Sequence, residues 1–232
     1  MSICAIWGAP QSGKTTLAIN LSYAISRGDM SVCLISPVAY GELAAKLGIE
    51  ISEERSLSAA IKGAVGIKQA VSKVNELFYV LASPITADAY DSYYTDEQVK
   101  SLLELARETF DFVIVDCPSE HNNLVAAWSL NKADNVAFTT GGKISCFAWY
   151  SANRKAVQSV QHKAIQISVE TTPDFDYEAM YQLMECTPDL RIPYVREAPF
   201  LENEGRYLYE QPGRRGWTFA KAINKLYEVI AL

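Results

Sequence analysis

The sequence contains few of the residues that build disulfide scaffolds or metal-binding clusters. It has 2 histidines, and its 5 cysteines lie far apart with no Cys-x-x-Cys pair: Cys4, Cys33, Cys117, Cys146 and Cys186. The odd count and the wide spacing argue against a disulfide framework and against a zinc site. Three of the cysteines lie in or beside predicted strands, where a thiol is usually a small buried hydrophobe. We therefore expect a protein of a reducing, cytoplasmic compartment.

Long apolar runs and an excess of positive charge are also absent. No uninterrupted apolar stretch approaches the roughly 20 residues that cross a bilayer, and the first residues lack the basic segment and apolar run of a signal peptide. Acidic residues outnumber basic ones by 27 to 21, which gives a net charge of −6. We expect a soluble protein that is not a globally basic nucleic-acid binder, although this composition allows a local basic patch.

The sequence does contain enough apolar residues for a full core. Hydrophobic residues make up 49% of the 232 positions and charged residues 21%. Apolar runs alternate with helical patterns along the chain, which predicts βαβ units and a mostly parallel sheet. The run "FVIVDCP" at 112–118 is the most strand-like, and Thr95 with Gln98 forms a capping box that predicts a helix. No internal repeat or linker stands out, so we expect a single domain over residues 1–232.

The segment "ICAIWGAPQSGKTTLAINL" at 3–21 contains the clearest motif. Gly8, four further residues and Gly13-Lys14-Thr15 fit the phosphate-binding pattern GxxxxGK[ST], in which backbone N–H groups surround phosphates, the lysine reaches the β- and γ-phosphates and the hydroxyl holds Mg²⁺. An ordinary glycine-rich turn with an incidental lysine is the alternative, and the strand–loop–helix order disfavours it. The predicted nucleotide-binding residues are Gly8, Ala9, Pro10, Gln11, Ser12, Gly13, Lys14, Thr15 and Thr16.

A carboxylate at the end of a neighbouring strand would complete such a site, because the Mg²⁺ shell needs an acidic group. "FDFVIVDCPSE" supplies Asp116 after a strand-like run, although an aspartate at a strand end can also be a turn or helix-cap residue. We predict Lys14 and Asp116 as catalytic residues, and Thr15 and Asp116 as metal-binding residues. Glu120 and His121 follow on the same loop; they either contact the γ-phosphate or its attacking water, or are simply solvated.

The order of these motifs, followed by "ADNVAFTT" and "RIPYVREAP", resembles the MinD/ParA branch of P-loop ATPases, which have a deviant Walker A motif and belong to the SIMIBI class. It resembles most closely the pilus-assembly members called TadZ or CpaE. The resemblance implies a P-loop NTPase fold, a three-layer α/β/α sandwich around a mostly parallel, twisted sheet of about seven or eight strands. It also implies ATP and Mg²⁺ as ligands, frequent face-to-face dimers, and a role in placing cellular structures at poles, septa or DNA.

Two departures from the family pattern concern hydrolysis. The family's signature lysine lies four residues before the second glycine of the loop, where this chain has Ala9. The family also has an aspartate just after the second strand, whereas residues 36–39 contain no carboxylate before Glu42. Losing a cation or a water-positioning group of this kind costs about two to four orders of magnitude in rate. The resemblance therefore implies ATP binding with weak ATPase activity.

The resemblance also suggests where the nucleotide base would lie. It places Pro193 and Tyr194 against the base, with a buried core tyrosine as the alternative for Tyr194. The family usually has an asparagine after the strand that corresponds to "AIQISVE", but this chain has Glu170, Thr171 and Thr172 there.

Aromatic and amphipathic segments bear on partners. Tyr90, Tyr93 and Tyr94 form either a partner surface or a loop packed on the domain. In the last segment, 217–232, one helical stripe carries Trp217, Ala220, Ile223, Tyr227 and Ile230. We expect this helix to pack against the domain rather than contact a membrane, because its polar face has only two lysines. Arg214 and Arg215 are too little basic surface to predict DNA binding.

These patterns favour an ATP- and ADP-binding, MinD/ParA-like protein that acts as a nucleotide-dependent localisation or assembly factor. We expect a homodimer held by apolar and aromatic surface, working in the cytoplasm or at the inner face of the membrane with proteins of a pilus or secretion apparatus. The alternatives are a DNA-partition ATPase of the ParA type, which needs a basic stripe, and a small-molecule kinase or ligase, which needs an acceptor pocket.

Overall fold

The computed structural model describes residues 1–38, 41–85, 94–120 and 122–232, and within them eight strands form one sheet. The strand order is β3-β4-β2-β5-β1-β6-β7-β8, with every pair parallel except β3 with β4. The strands are β1 (Ser2–Gly8), β2 (Val32–Ile35), β3 (Ser72–Lys73), β4 (Phe78–Leu81), β5 (Phe112–Asp116), β6 (Asn135–Gly141), β7 (Ala164–Val169) and β8 (Leu190–Ile192). The expected mostly parallel sheet is confirmed.

Helices cover both faces of this sheet. They are α1 (Lys14–Arg27), α2 (Glu42–Leu47), α3 (Leu57–Ile61), α4 (Ile67–Ala70), α5 (Asp96–Thr109), α6 (Leu124–Lys132), α7 (Ile144–Ala152), α8 (Arg154–Val160), α9 (Tyr177–Leu183), α10 (Ala198–Asn203) and α11 (Gly213–Ile230). One large apolar cluster joins the sheet to α1 and α11, and another joins it to α5, α6 and α8. The three-layer α/β/α sandwich is therefore confirmed.

Strand β1 shows why its sequence reads as an unbroken apolar run. Cys4 and Ile6 belong to the cluster on the α1 side, whereas Ile3, Ala5 and Trp7 belong to the cluster on the opposite face. Because both faces of a sandwiched parallel strand are covered by helices, positions 3–7 are all apolar and no alternation is visible.

The register of the central strands positions the predicted site. Ile6 of β1 pairs with Asp116 at the end of β5, and Gly8 pairs with Thr139 of β6. Parallel strands present their carboxyl ends at one edge of the sheet, which is where ligands bind in open α/β folds. The loop between β1 and α1 and the acidic end of β5 therefore lie side by side.

The stretch 171–216 has more structure than the sequence predicted. The prolines, charged residues and tyrosines of this stretch predict loops around one helix, but the structure has α9, α10 and the edge strand β8 there. Strand β8 has three residues and pairs with β7 through Ile167 opposite Leu190. Three residues are too few to show a periodicity, so this strand depends on pairing that only the assembled sheet provides.

Helix α11 packs against the domain as expected, and its buried face overlaps the predicted stripe in part. Phe219, Ile223, Leu226 and Ile230 are buried against α1 and the sheet, whereas Trp217 is 64% exposed. The predicted stripe is therefore confirmed at Ile223 and Ile230 and wrong at Trp217. None of the helices in the described ranges combines the length and apolar composition needed to cross a bilayer. Of the tyrosine cluster, Tyr90 and Tyr93 lie outside the described residues.

The capping box of α5 gives a test of the fold. The Thr95 hydroxyl accepts from the Gln98 N–H at 3.2 Å, and the Gln98 side chain accepts from the Thr95 N–H at 2.9 Å. We expect Thr95→Ala to lower the free energy of unfolding by about 1 kcal/mol, because one N–H of the first turn loses its acceptor. Urea unfolding would measure this.

Thr109→Ala in the last turn of the same helix is the control for that substitution. The Thr109 hydroxyl donates to the Leu105 carbonyl, so its loss leaves no helix N–H without an acceptor. We expect a change within about 0.5 kcal/mol. Equal losses for the two variants would contradict a stabilising role for the box.

Candidate functional site

The loop between β1 and α1 depends on two glycines for its shape. A Cβ on Gly8 would lie 2.1 Å from the Thr139 carbonyl oxygen. Gly13 has φ +80°, and a Cβ there would lie 2.8 Å from a methyl of Val169. Larger residues would therefore collide with β6 at the first position and with β7 at the second. These are the two glycines of the phosphate-binding pattern, and here packing against neighbouring strands explains them.

Side chains also hold this loop in place. The buried Ser12 hydroxyl donates to the Ala9 carbonyl at 2.7 Å and lies 2.6 Å from the Thr139 hydroxyl. The Gln11 amide oxygen accepts from the Lys143 ammonium group at the start of α7. Both contacts join the loop to β6 or to the helix that follows it. Contacts with the rest of the fold thus fix the conformation of the loop before any ligand binds. Backbone N–H donors need such preorganisation to bind phosphates.

The Lys14 ammonium group points back into the loop. Its Nζ donates to the Ala9 carbonyl at 2.8 Å and to the Ser119 hydroxyl at 2.7 Å. The Ser119 hydroxyl in turn donates to the Gly8 carbonyl at 2.7 Å. Burial lowers the pKa of Lys14, while the Asp116 carboxylate opposes that shift. Sequence reasoning missed Ser119, although its position just after "DCP" on the loop beyond β5 could have drawn attention to it.

The predicted metal-binding pair is brought together. The Thr15 hydroxyl donates to Asp116 Oδ2 at 2.7 Å. Asp116 is 4% exposed, and burial raises its pKa to about 6 while the Thr15 hydroxyl and the Lys14 ammonium oppose the rise. A hydroxyl and a carboxylate are oxygen ligands of the type that Mg²⁺ prefers. Among the described residues no group of three or more His, Cys, Asp and Glu side chains could hold a metal ion. Mg²⁺ at this pair would therefore take its other ligands from phosphate and water.

A cleft of about 330 Å³ lies along the loop. One wall is the loop with the start of α1, another is the segment after β5 with Asp116 and the exposed Glu120, and a third is α2. Helix α2 contributes Glu42 and Lys46, which form an ion pair at 2.9 Å. Sequence reasoning noted Glu42 only as the first carboxylate after β2 and missed Lys46. Ala39 and His121, which it also considered, lie outside the described residues.

Glu202 of α10 contacts two of the residues that line the cleft. The Thr16 hydroxyl donates to Glu202 Oε1. The other oxygen of this carboxylate lies 3.6 Å from Lys46 Nζ. Thr16 and Glu202 are 186 positions apart in the chain, so no local sequence pattern could have indicated this contact.

The predicted base-binding residues follow the edge strand β8. Pro193 and Tyr194 are half-buried, and the Tyr194 N–H donates to the Glu170 carboxylate at 3.3 Å. Thr171, next to Glu170, accepts from the Gly142 N–H at 3.0 Å. Neither Pro193 nor Tyr194 is among the described residues that line the cleft. Their contact with a base therefore stays a prediction.

A larger cavity of about 430 Å³ lies between α6 and α8. Its lysine, Lys163, already donates to the carbonyls of Asn131 and Ala133 at 2.9 Å and so closes the end of α6. The Ser159 hydroxyl in its lining likewise donates to a backbone carbonyl, that of Ala156, rather than to a carboxylate as the Thr15 hydroxyl does at the loop. The chemistry therefore favours the cleft along the loop as the functional site.

The chain is similar to known proteins in sequence and in fold. A family model described as "AAA domain" matches residues 8–168, which include the loop, α1 and Asp116. Among curated proteins the chain is similar to the septum site-determining protein MinD of Bacillus subtilis (strain 168), with 29% identity over 111 residues. That match covers 46% of this chain and 41% of the relative's length.

Solved structures show the same fold. MinD from Pyrococcus horikoshii OT3, complexed with Mg-ADP, has a TM-score of 0.79 and 18% identity, and the match covers 98% of this chain and 96% of that one. The ParA family ATPase from Chlorobium tepidum TLS has a TM-score of 0.79 and 17% identity, with 97% and 96% covered. At such identities the likeness is one of fold.

The buried carboxyl of Asp116 makes the stability of the ligand-free protein depend on pH. The pKa of its carboxyl rises from 3.8 to about 6 on folding. Ionisation of this group therefore lowers the free energy of unfolding: the loss is absent below about pH 4 and complete above about pH 6. We expect Asp116→Asn to raise the free energy of unfolding near pH 8 by up to about 3 kcal/mol, and to change it little near pH 4. Urea unfolding in EDTA would measure both values.

Asp134→Asn is the control, with the opposite sign. Although burial opposes the shift, hydrogen bonds from the Ile3 N–H and from Arg107 lower the pKa of Asp134, so its charge stabilises the fold above about pH 4. We expect this variant to be less stable than the wild type near neutral pH. An Asp116→Asn protein that is also less stable there would contradict the cost assigned to the buried charge.

Proposed function

This chain belongs to the AAA domain family, and we propose that it is a single-domain, MinD/ParA-like protein that binds ATP and ADP with Mg²⁺ and acts as a nucleotide-dependent positioning or assembly factor. The observation that carries the proposal is the meeting of Lys14, Thr15 and Asp116 in one cleft, with Thr15 and Asp116 2.7 Å apart. The fold that it shares with the Mg-ADP complex of MinD supports the choice of nucleotide.

Each side chain at the site has a role that follows from its chemistry. Lys14 exchanges the Ala9 carbonyl and the Ser119 hydroxyl for the β- and γ-phosphates, which are stronger, charged acceptors. Thr15 and Asp116 supply oxygen ligands to Mg²⁺, and the bound ion neutralises phosphate charge. The N–H groups of the loop and of the start of α1 orient the phosphate chain. Pro193 and Tyr194 contact the base.

Hydrolysis in this proposal is weak. Ala9 is fully buried and its methyl group offers no charge to a phosphate. The described residues just after β2, 36–38, carry no carboxylate to position water. Both absences remove charge stabilisation that acts mainly in the transition state, so they reduce turnover more than binding.

The cellular role of this nucleotide-binding protein is proposed from the sequence resemblance to pilus-assembly members of the MinD/ParA branch. We propose a role in a pilus or secretion apparatus, with the protein working as a homodimer in the cytoplasm. The exposed side chains of Ile144 and Phe200 support a dimer surface around the cleft. Each lies within two residues of a side chain that contacts the loop or the start of α1, namely Lys143 and Glu202.

Nucleotide binding is tested by removing the loop lysine. We expect Lys14→Ala to weaken Mg-ATP binding at least tenfold, because one charged hydrogen bond to phosphate contributes about 1.5–3 kcal/mol. Isothermal titration calorimetry on the wild type and the variant would measure the two dissociation constants. Lys132→Ala is the control, since Lys132 pairs with Glu104 outside the cleft. Equal affinities for wild type and Lys14→Ala would refute the site.

Weak hydrolysis is tested by turnover of the purified protein. We expect phosphate release from ATP well below the enzyme median of about 10 per second. A coupled phosphate assay with Lys14→Ala as background would measure it. Fast turnover that disappears in Lys14→Ala would show that other residues supply the catalytic groups.

A further inference from the structure

Lys46 on α2 is a second cation in the wall of the cleft. Its Nζ lies 2.9 Å from Glu42 Oε1 and 3.6 Å from Glu202 Oε2, and its side chain is 24% exposed. Burial would lower the pKa of Lys46, but the two glutamates raise it above its ordinary value. The ammonium group is therefore charged at neutral pH, and it faces the space next to Asp116 and the loop.

The charges around the cleft do not suit an anionic ligand as they stand. Four carboxylates line the cleft or contact its wall, and two ammonium groups accompany them: those of Lys14 and Lys46 against Glu42, Asp116, Glu120 and Glu202. A nucleotide adds several further negative charges. Mg²⁺ at Thr15 and Asp116 offsets part of them, and Lys14 offsets one more. Any other mobile cation in the cleft is therefore attracted electrostatically to the phosphates.

The present partners of Lys46 are easily exchanged. Glu42 lies one turn away on the same helix with a 42% exposed side chain, and such exposed pairs add little to stability. The contact with Glu202 is longer, and the other oxygen of that carboxylate is engaged by Thr16. A triphosphate presents several charged oxygens as acceptors, and the flexible lysine stem allows the ammonium to move from the glutamates to them.

We propose that Lys46 is a second phosphate-binding residue. Its ammonium group moves away from Glu42 and Glu202 and pairs with the phosphate chain of the bound Mg-nucleotide. The inference rests on the proposed function and adds a residue to the same site. Glu202 then competes with the nucleotide, because its carboxylate holds Lys46 and Thr16 and repels phosphate. Removing the charge of Lys46 should weaken binding, and removing the charge of Glu202 should strengthen it.

The test compares dissociation constants for a non-hydrolysable ATP analogue with Mg²⁺, measured by isothermal titration calorimetry. We expect Lys46→Met to weaken binding about tenfold, which is the loss of one charged contact. Lys46→Arg, which keeps the charge, should stay within about threefold of the wild type, and Glu202→Gln should bind more tightly than the wild type. Lys73→Met is the matched control, because Lys73 also pairs with a glutamate, Glu76, but lies on β3 outside the cleft.

The readouts separate binding from a structural role and from the proposed function. If the role of Lys46 were purely structural, Lys46→Met would lower the thermal stability of the ligand-free protein, and Glu202→Gln would not strengthen binding. Wild-type affinity in Lys46→Met, together with a loss in Lys14→Ala, would overturn the role of Lys46 alone. No binding by the wild type would overturn the nucleotide site, and the role of Lys46 with it.

Discussion

The hydrogen bond between Thr15 and Asp116 is the contact on which the candidate site depends. It joins the first turn of α1 to the end of β5 at 2.7 Å, and it forms because Ile6 of β1 pairs with Asp116 in the sheet. Burying Asp116 is costly, as the raised pKa of its carboxyl shows. The fold tolerates that cost at the position where a metal ion would need a charged oxygen, which is typical of functional sites.

The rest of the cleft can be understood as a balance of charge around this pair. Lys14 donates hydrogen bonds to a carbonyl of the loop and to the Ser119 hydroxyl, whereas Lys46 forms ion pairs with glutamates from α2 and α10. The contact of Glu202 with Thr16 links α10 to the helix that carries the loop. Any ligand that changes the partners of these groups would therefore also act on α10, where Phe200 is exposed.

The comparisons show how little sequence identity this architecture requires. An identity of 17–18% accompanies a TM-score of 0.79 over nearly the whole chain. A parallel sheet covered on both faces needs apolar residues along each strand and helices of suitable length, and many sequences meet that need. The loop restricts the sequence more strictly, because a Cβ at Gly8 or Gly13 would collide with neighbouring strands.

The sequence by itself determined the fold class and indicated the loop and Asp116 as candidates, because alternating apolar runs and the spacing of Gly8, Gly13 and Lys14 are local patterns. It did not indicate the roles of Ser119, Lys46 and Glu202, nor strand β8. Ser119 meets Lys14 across 105 positions and Glu202 meets Thr16 across 186, so the order of strands decides these contacts. The exposed Trp217 shows the same limit for α11: helical periodicity indicates an apolar stripe, but only packing against α1 selects which residues are buried.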